Sequence, residues 1–259
     1  MVDGGASLGL EKAPNARDLG GYRTRSGRRV RPGRALRAEA LNQLTDDDLG
    51  ILEGLGLRSV VDFRGPGETA YSGFDRVPAG VESLELPVFA ADHDIYVTLA
   101  PLFTTDDHDL QRRVLGDGGA EKIMTEMYRW FVNDPLPRDA FATTFRLLSE
   151  GEPVMFHCTA GKDRTGWMAA IVLTALDVPV ETVYNDYLLT NLRQAPLIDM
   201  FRGPDSKIDV ALVEPLLDVR QGYLDAAFDE VGRRFGSFET FVKDGLGGDI
   251  TALRGALLE

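Results

Sequence analysis

Along the chain, apolar residues gather first in short runs and later at helical spacing. Ala35 to Ala38 follows the turn Pro32-Gly33, with Arg28 to Arg31 before it, and Leu57 to Phe63 is a compact apolar run suited to a buried strand. Between these strands a helix is expected: Thr45 can cap it, Asp46, Asp47 and Asp48 complement its dipole, and Gly54 and Gly56 close it. Val81 to Leu86 reads as a further strand, whereas Pro87 to Gly119 shows no clear period and reads as a lid or insertion. Helical spacing then takes over at Ala120 to Asn133 and Arg138 to Glu150. Pro153 to His157 is a short strand, and Trp167 to Leu176, Val180 to Leu192, Pro215 to Phe235 and Phe238 to Val242 are helical. Residues 1–13 read as a flexible leader before one domain spanning 14–259. Strands early, helices late and alternation between them predict an α/β fold, a central sheet flanked by helices with a helical C-terminal half.

Composition narrows the partners. The 259 residues are 44% hydrophobic and 27% charged, enough for a sizeable core, and the net charge of −13 repels nucleic acid and anionic membrane surfaces, so no nucleic-acid partner is expected. Between Arg17 and Arg37, however, eight arginines face only Asp18, a local field that can steer an anionic ligand. No window holds the run of apolar residues that a membrane span requires, and the first ten residues lack a signal-peptide pattern. A cytoplasmic location is the resulting expectation, and export without a cleaved signal leaves no mark in a sequence. With a single cysteine no intrachain disulfide forms, so Cys158 is either structural or reactive.

The residues around it decide between these. His157-Cys158-Thr159-Ala160-Gly161-Lys162-Asp163-Arg164-Thr165-Gly166 runs from an apolar strand into an apolar helix. A strand, a tight loop and a helix N-terminus in succession turn backbone N–H groups of Thr159 through Arg164 inward, an anion nest reinforced by the helix dipole. The same field favours the nucleophilic thiolate of Cys158. Arg164, six residues on, can fork two donors onto phosphate oxygens, Gly161 admits a backbone conformation closed to most residues, and Thr165 can hydrogen-bond the sulfur. His157 orders the loop from behind. Nucleophile and dianion cradle together suit a phosphate monoester. The competing reading, a cysteine buried as a small hydrophobe, leaves this surrounding pattern unexplained.

These residues resemble the loop of the protein tyrosine phosphatase superfamily, and specifically its tyrosine/serine phosphatase family. Asn15-Ala16-Arg17-Asp18-Leu19-Gly20-Gly21-Tyr22 is similar to that family's N-terminal signature, Val61-Asp62-Phe63-Arg64 with Glu68 to its Asp-Leu-Arg segment, and Asp186-Tyr187-Leu188-Leu189-Thr190-Asn191 to its post-loop helix. The resemblance implies a phosphatase-like fold, no metal or organic cofactor, and Cys158, Lys162, Asp163 and Arg164 as functional residues. Gly161-Lys162 followed by Arg164 is similar to loops that accept phosphoinositides, where Lys162 would meet a second phosphate. A phosphorylated protein or a phosphoinositide is therefore the expected substrate.

The acid that protonates the leaving oxygen has three candidates: Asp163 in the loop, Asp62 at a strand end, and the Asp92-His93-Asp94 cluster, in that order. For Asp62 a structural ion pair with an arginine is the stronger expectation, and Arg17 is expected to pair with Asp18. A phosphate-recognition module without turnover is the alternative function. Arsenate reduction lacks its resolving thiol, and sulfur transfer usually lacks the Arg164-Thr165 arrangement.

Overall fold

The computed structural model describes residues 5–90, 99, 101–102, 107–193 and 209–259. Its elements run β1 (Arg17–Asp18), β2 (Ala35–Ala38), α1 (Asp46–Gly54), β3 (Ser59–Asp62), α2 (Pro66–Ser72), β4 (Glu82–Glu85), α3 (His108–Leu115), α4 (Gly119–Asn133), α5 (Pro135–Ser149), β5 (Val154–His157), α6 (Asp163–Ala175), α7 (Val180–Arg193), α8 (Val210–Leu217), α9 (Gln221–Phe235), α10 (Phe238–Thr240), which continues into a π-turn at Phe241–Gly245, and α11 (Ile250–Leu257). The strands form one sheet in the order β1-β2-β5-β3-β4, with β1 antiparallel to β2 and every other pair parallel.

Register fixes where chemistry can happen. Ala38 and Asp62 both stand opposite His157, so β2, β5 and β3 end at one level and the chain leaves the centre of the sheet at Cys158. Ligands of open α/β sheets bind just outside such carboxyl ends. Successive side chains of a strand face opposite ways, and the core divides accordingly: Val60 and Met155 join Leu10, Ala13, Leu36 and Leu52 on one face, while Val61 and Phe156 join Phe63, Trp167 and the helices on the other. α6 buries every residue except Thr174, as a helix apolar all round must. Among the described residues β4 pairs only with β3 and forms an exposed edge carrying Glu82 and Glu85 outward.

Thr45 caps α1 as expected, its hydroxyl accepting from Asp48 N at 3.1 Å while its own backbone N donates to Asp48 Oδ2 at 3.0 Å. Three expectations are revised. Residues 5–13 are not a loose leader: Leu8 N donates to Ala16 O, Asp18 N to Ala6 O, and Leu10 and Ala13 are core residues. Arg28 to Arg31 makes isolated bridges, Arg29 with Arg23 and Val30 with Leu258, rather than a strand beside β2. The helix expected from Pro215 to Phe235 is two helices, broken at 218–220 where the backbone turns extended. In the stretch read as a lid, Asp107 caps α3 and this helix packs against α4; Asp92, His93 and Asp94 lie outside the described residues. No helix among the described residues is long and apolar enough to cross a membrane.

Candidate active site

Cys158 begins the loop that leaves β5, and its sulfur is 3.2 Å from the Thr165 hydroxyl, which donates to it from the first turn of α6. The side chain of the N-cap residue, Lys162, makes no capping bond, so the positive end of the α6 dipole faces the loop. Gly161 adopts φ of +61°, and a Cβ there would lie 2.5 Å from Ala38 O and 2.7 Å from Glu39 N. Both are backbone atoms of the neighbouring strand end, so only glycine lets the loop lie this close to β2.

Two buried networks hold the loop from below. In the first, Arg37 from β2 donates to Gly161 O at 2.9 Å and to Asp186 Oδ2 at 2.6 Å; Arg17 donates to Asp186 Oδ1 at 2.9 Å, and Tyr22 to the same oxygen at 3.1 Å. Asn15 donates its amide to Gly161 O at 3.1 Å. Burial alone would raise the Asp186 carboxyl, but the two guanidinium charges outweigh it and hold it down at about 2. Burial, with the Arg17 charge beside it, lowers Arg37 to about 10, against the pull of Asp186 and Cys158. Arg17 therefore pairs with Asp186 and not with Asp18, whose carboxylate instead accepts from Gly20 N and Gly33 N.

In the second network, His157 Nε2 lies 2.9 Å from Asp75 Oδ2 and Nδ1 lies 3.1 Å from Cys158 O. Burial would lower the imidazole, yet Asp75 and, more distantly, Asp62 raise it above its ordinary value. Asp62 is clasped by Arg64, with Nη2 2.7 Å from Oδ2, and Arg64 also reaches Asp75 at 2.9 Å. Asp62, Asp75 and His157 cluster as metal ligands can, but the Arg64 guanidinium already supplies their positive charge.

Arg164 forks onto Glu68, Nη1 to Oε2 at 2.6 Å and Nη2 to Oε1 at 2.7 Å, and also donates to Phe63 O at 3.1 Å. Glu68 accepts the Thr159 hydroxyl as well, so one carboxylate joins both ends of the loop. Burial raises the Glu68 carboxyl, and Arg164 with Thr159 overcompensates, leaving it below its usual range and ionised at neutral pH. The guanidinium lies over the Phe89 ring at 5.4 Å, and Phe89 stacks on Trp130 at 4.9 Å. Beyond Phe89 opens a cavity of about 620 Å³ walled by Ile123, Met127, Trp130 and Leu136. Asp163 is buried; its Oδ1 accepts from the Tyr128 hydroxyl at 3.0 Å, its Oδ2 lies 3.2 Å from Lys162 Nζ, and Tyr128 in turn meets the Tyr187 hydroxyl at 2.7 Å.

The model of a tyrosine phosphatase family matches residues 8–259, the whole of the loop and both networks included. The chain belongs to this tyrosine phosphatase family. The enzyme is 35% identical to a Cupriavidus necator protein named "Putative tyrosine-protein phosphatase", over 99% of this chain and 90% of that one. It is 30% identical to the triple specificity protein phosphatase PtpB of Mycobacterium tuberculosis, over 88% of this chain and 92% of the relative. The crystal structure of Pseudomonas aeruginosa TpbA superposes with a TM-score of 0.34 at 16% identity, over 88% of this chain and 89% of that one, too loosely to bear on the site. In this phosphatase the loop from Cys158 through Thr159, Ala160, Gly161, Lys162, Asp163 and Arg164 to Thr165 lies at the sheet's carboxyl edge. The tie of Glu68 to Arg164, 96 residues away, has no local signal in the sequence. The arginine-rich segment is largely spent within the fold: Arg28 donates to Leu258 O, Arg31 to Ala256 O and Arg34 to Gly151 O.

Proposed function

We propose that this phosphatase hydrolyses phosphomonoesters through a cysteinyl-phosphate on Cys158. The observation that carries the reading is the Cys158 sulfur under the Thr165 hydroxyl at 3.2 Å, at the mouth of an α-helix whose N-terminus faces the loop. The backbone N–H groups from Thr159 to Lys162 cradle the phosphate, and Arg164, its plane fixed by Glu68, adds permanent positive charge. The thiolate attacks phosphorus, the S–P bond forms as the P–O bond to the leaving group breaks, and the departing oxygen takes up a proton, with Asp163 the loop's candidate acid. Water then attacks phosphorus and the S–P bond breaks. The Thr165 hydroxyl stabilises the sulfur as negative charge returns to it. His157 and Asp62 act through the loop backbone and Arg64 rather than on substrate.

Phosphotyrosine is the favoured substrate in this reading, because the apolar cavity behind Phe89 suits an aromatic ester. The PtpB name supports a broader range, and phosphoserine, phosphothreonine and phosphoinositides belong in the same assay. Turnover of each is measured in chelator with wild type and Cys158→Ser. Phosphotyrosine hydrolysis abolished by the substitution, with phosphate binding retained, is the expected result; a variant as active as wild type would overturn the cysteine mechanism. Wild type that binds phosphopeptide without hydrolysing it would favour the recognition-module reading.

A further inference from the structure

Lys162 is 4% exposed and its ammonium is already engaged. It donates to Leu216 O at 2.7 Å and to Asp218 O at 3.0 Å, and lies 3.2 Å from Asp163 Oδ2. The first acceptor belongs to the last turn of α8, where carbonyls lack intrahelical partners and the dipole favours a cation. The second lies at the break between α8 and α9. That break is itself clamped: Asn191 donates to Val219 O at 2.7 Å and accepts from Val219 N at 2.8 Å.

Asn191 and Asp186 share α7, which therefore grips the loop twice. One grip runs from Asp186 through Arg37 to Gly161 O, the other from Asn191 through residues 216–219 to Lys162. We infer that the Lys162 side chain is a positioning residue, a strut that sets the phosphate loop against the α8–α9 break, and not a ligand for a second phosphate on the substrate. Meeting such a phosphate would require it to abandon two carbonyls and a carboxylate and leave all three short of a donor. The inference rests on the phosphatase reading of the loop, which wild-type turnover and Cys158→Ser check separately.

The test uses Lys162→Met, Asn191→Ala and the pair, each confirmed folded by circular dichroism. Phosphotyrosine peptide is the substrate, with inorganic phosphate and an inositol bisphosphate bearing adjacent phosphates as competitive inhibitors. A loop displaced by a fraction of an ångström to an ångström loses on the order of ten- to a hundredfold in kcat. The strut predicts such a loss in Lys162→Met with the ratio of the two inhibition constants unchanged. It further predicts a smaller loss of the same kind in Asn191→Ala, and a double variant no worse than Lys162→Met alone, because both changes cut one path. Three outcomes overturn it: unchanged kcat in Lys162→Met, a selective tenfold loss of bisphosphate binding there, or losses that multiply in the pair. Should Asn191→Ala fail to fold, Lys162→Met with the two inhibitors decides alone.

Discussion

Asp186→Asn keeps the shape of the side chain and removes the one negative charge between two buried guanidiniums. Arg17, Arg37 and Asp186 are all fully buried, and Asp186 accepts from Arg17, Arg37 and Tyr22 at once. Breaking a buried ion pair by removing one partner costs about 3–5 kcal/mol, because the charge left behind is neither solvated nor paired. Natural domains hold only about 5–15 kcal/mol in all, so the variant should remain folded with a much reduced margin. For a chain of this size each kcal/mol moves the melting point by about 2–4 °C, giving an expected fall of about 6–20 °C. Urea unfolding and calorimetry at pH 7 read the stability, and phosphotyrosine turnover below the transition reads the loop. Because Arg37 also carries Gly161 O, activity should fall at temperatures where the variant is folded. A companion chain with Arg17→Met, Arg37→Met and Asp186→Leu replaces the charges with apolar bulk, which often restores stability. It should regain stability without regaining full turnover, since the Arg37 bond to Gly161 O is gone and only the Asn15 amide still holds that carbonyl. A loss below about 1 kcal/mol in Asp186→Asn, or full turnover in the triple variant, would refute the reasoning.

Two further outcomes follow from the site. Asp163→Asn should slow hydrolysis of an alkyl phosphate far more than that of p-nitrophenyl phosphate, whose leaving group departs without a proton, with general acid–base catalysis worth on the order of a hundredfold or more; equal losses on both would assign Asp163 to loop structure alone. His157 has its folded value raised by Asp75, so its contribution to stability is complete below its ordinary value of 6.5 and disappears as pH climbs through the raised one. The stability gap between wild type and Asp75→Asn, read from urea midpoints between pH 5 and pH 9, should therefore narrow at the alkaline end, and a constant gap would sink the pairing.

What could be read from residues alone was whatever is written locally. The Thr45 cap with its three aspartates, the apolar run into β3 and the strand–loop–helix around Cys158 each carry their signal within about ten residues, and each formed where expected. The two-residue β1 has no period to detect, and it exists because residues 5–8 and β2 flank it on both sides. The α8–α9 break falls within a stretch whose spacing predicts one helix, and it is stabilised by Lys162 and Asn191 from elsewhere in the chain. The family resemblance brought the Asn15–Tyr22 and Asp186–Asn191 segments to notice without showing that they meet. Arg17 and Asp186 stand 169 residues apart, and their pairing is a property of the folded sheet and helix, not of spacing. The clasp of Asp163 by Tyr128 and Lys162 joins residues 35 apart in the first case and is not written in any local pattern.

The open margin of the sheet at β4 bears on how the molecule behaves in crowded solution. A free strand edge invites a second strand to add on, the first step toward disordered aggregates. Here the margin is four residues long and carries Glu82 and Glu85, both solvent-facing. Two copies approaching edge to edge would bring four carboxylates together before any backbone bond could form, so the protein's acidic surface acts there as a gatekeeper of colloidal stability.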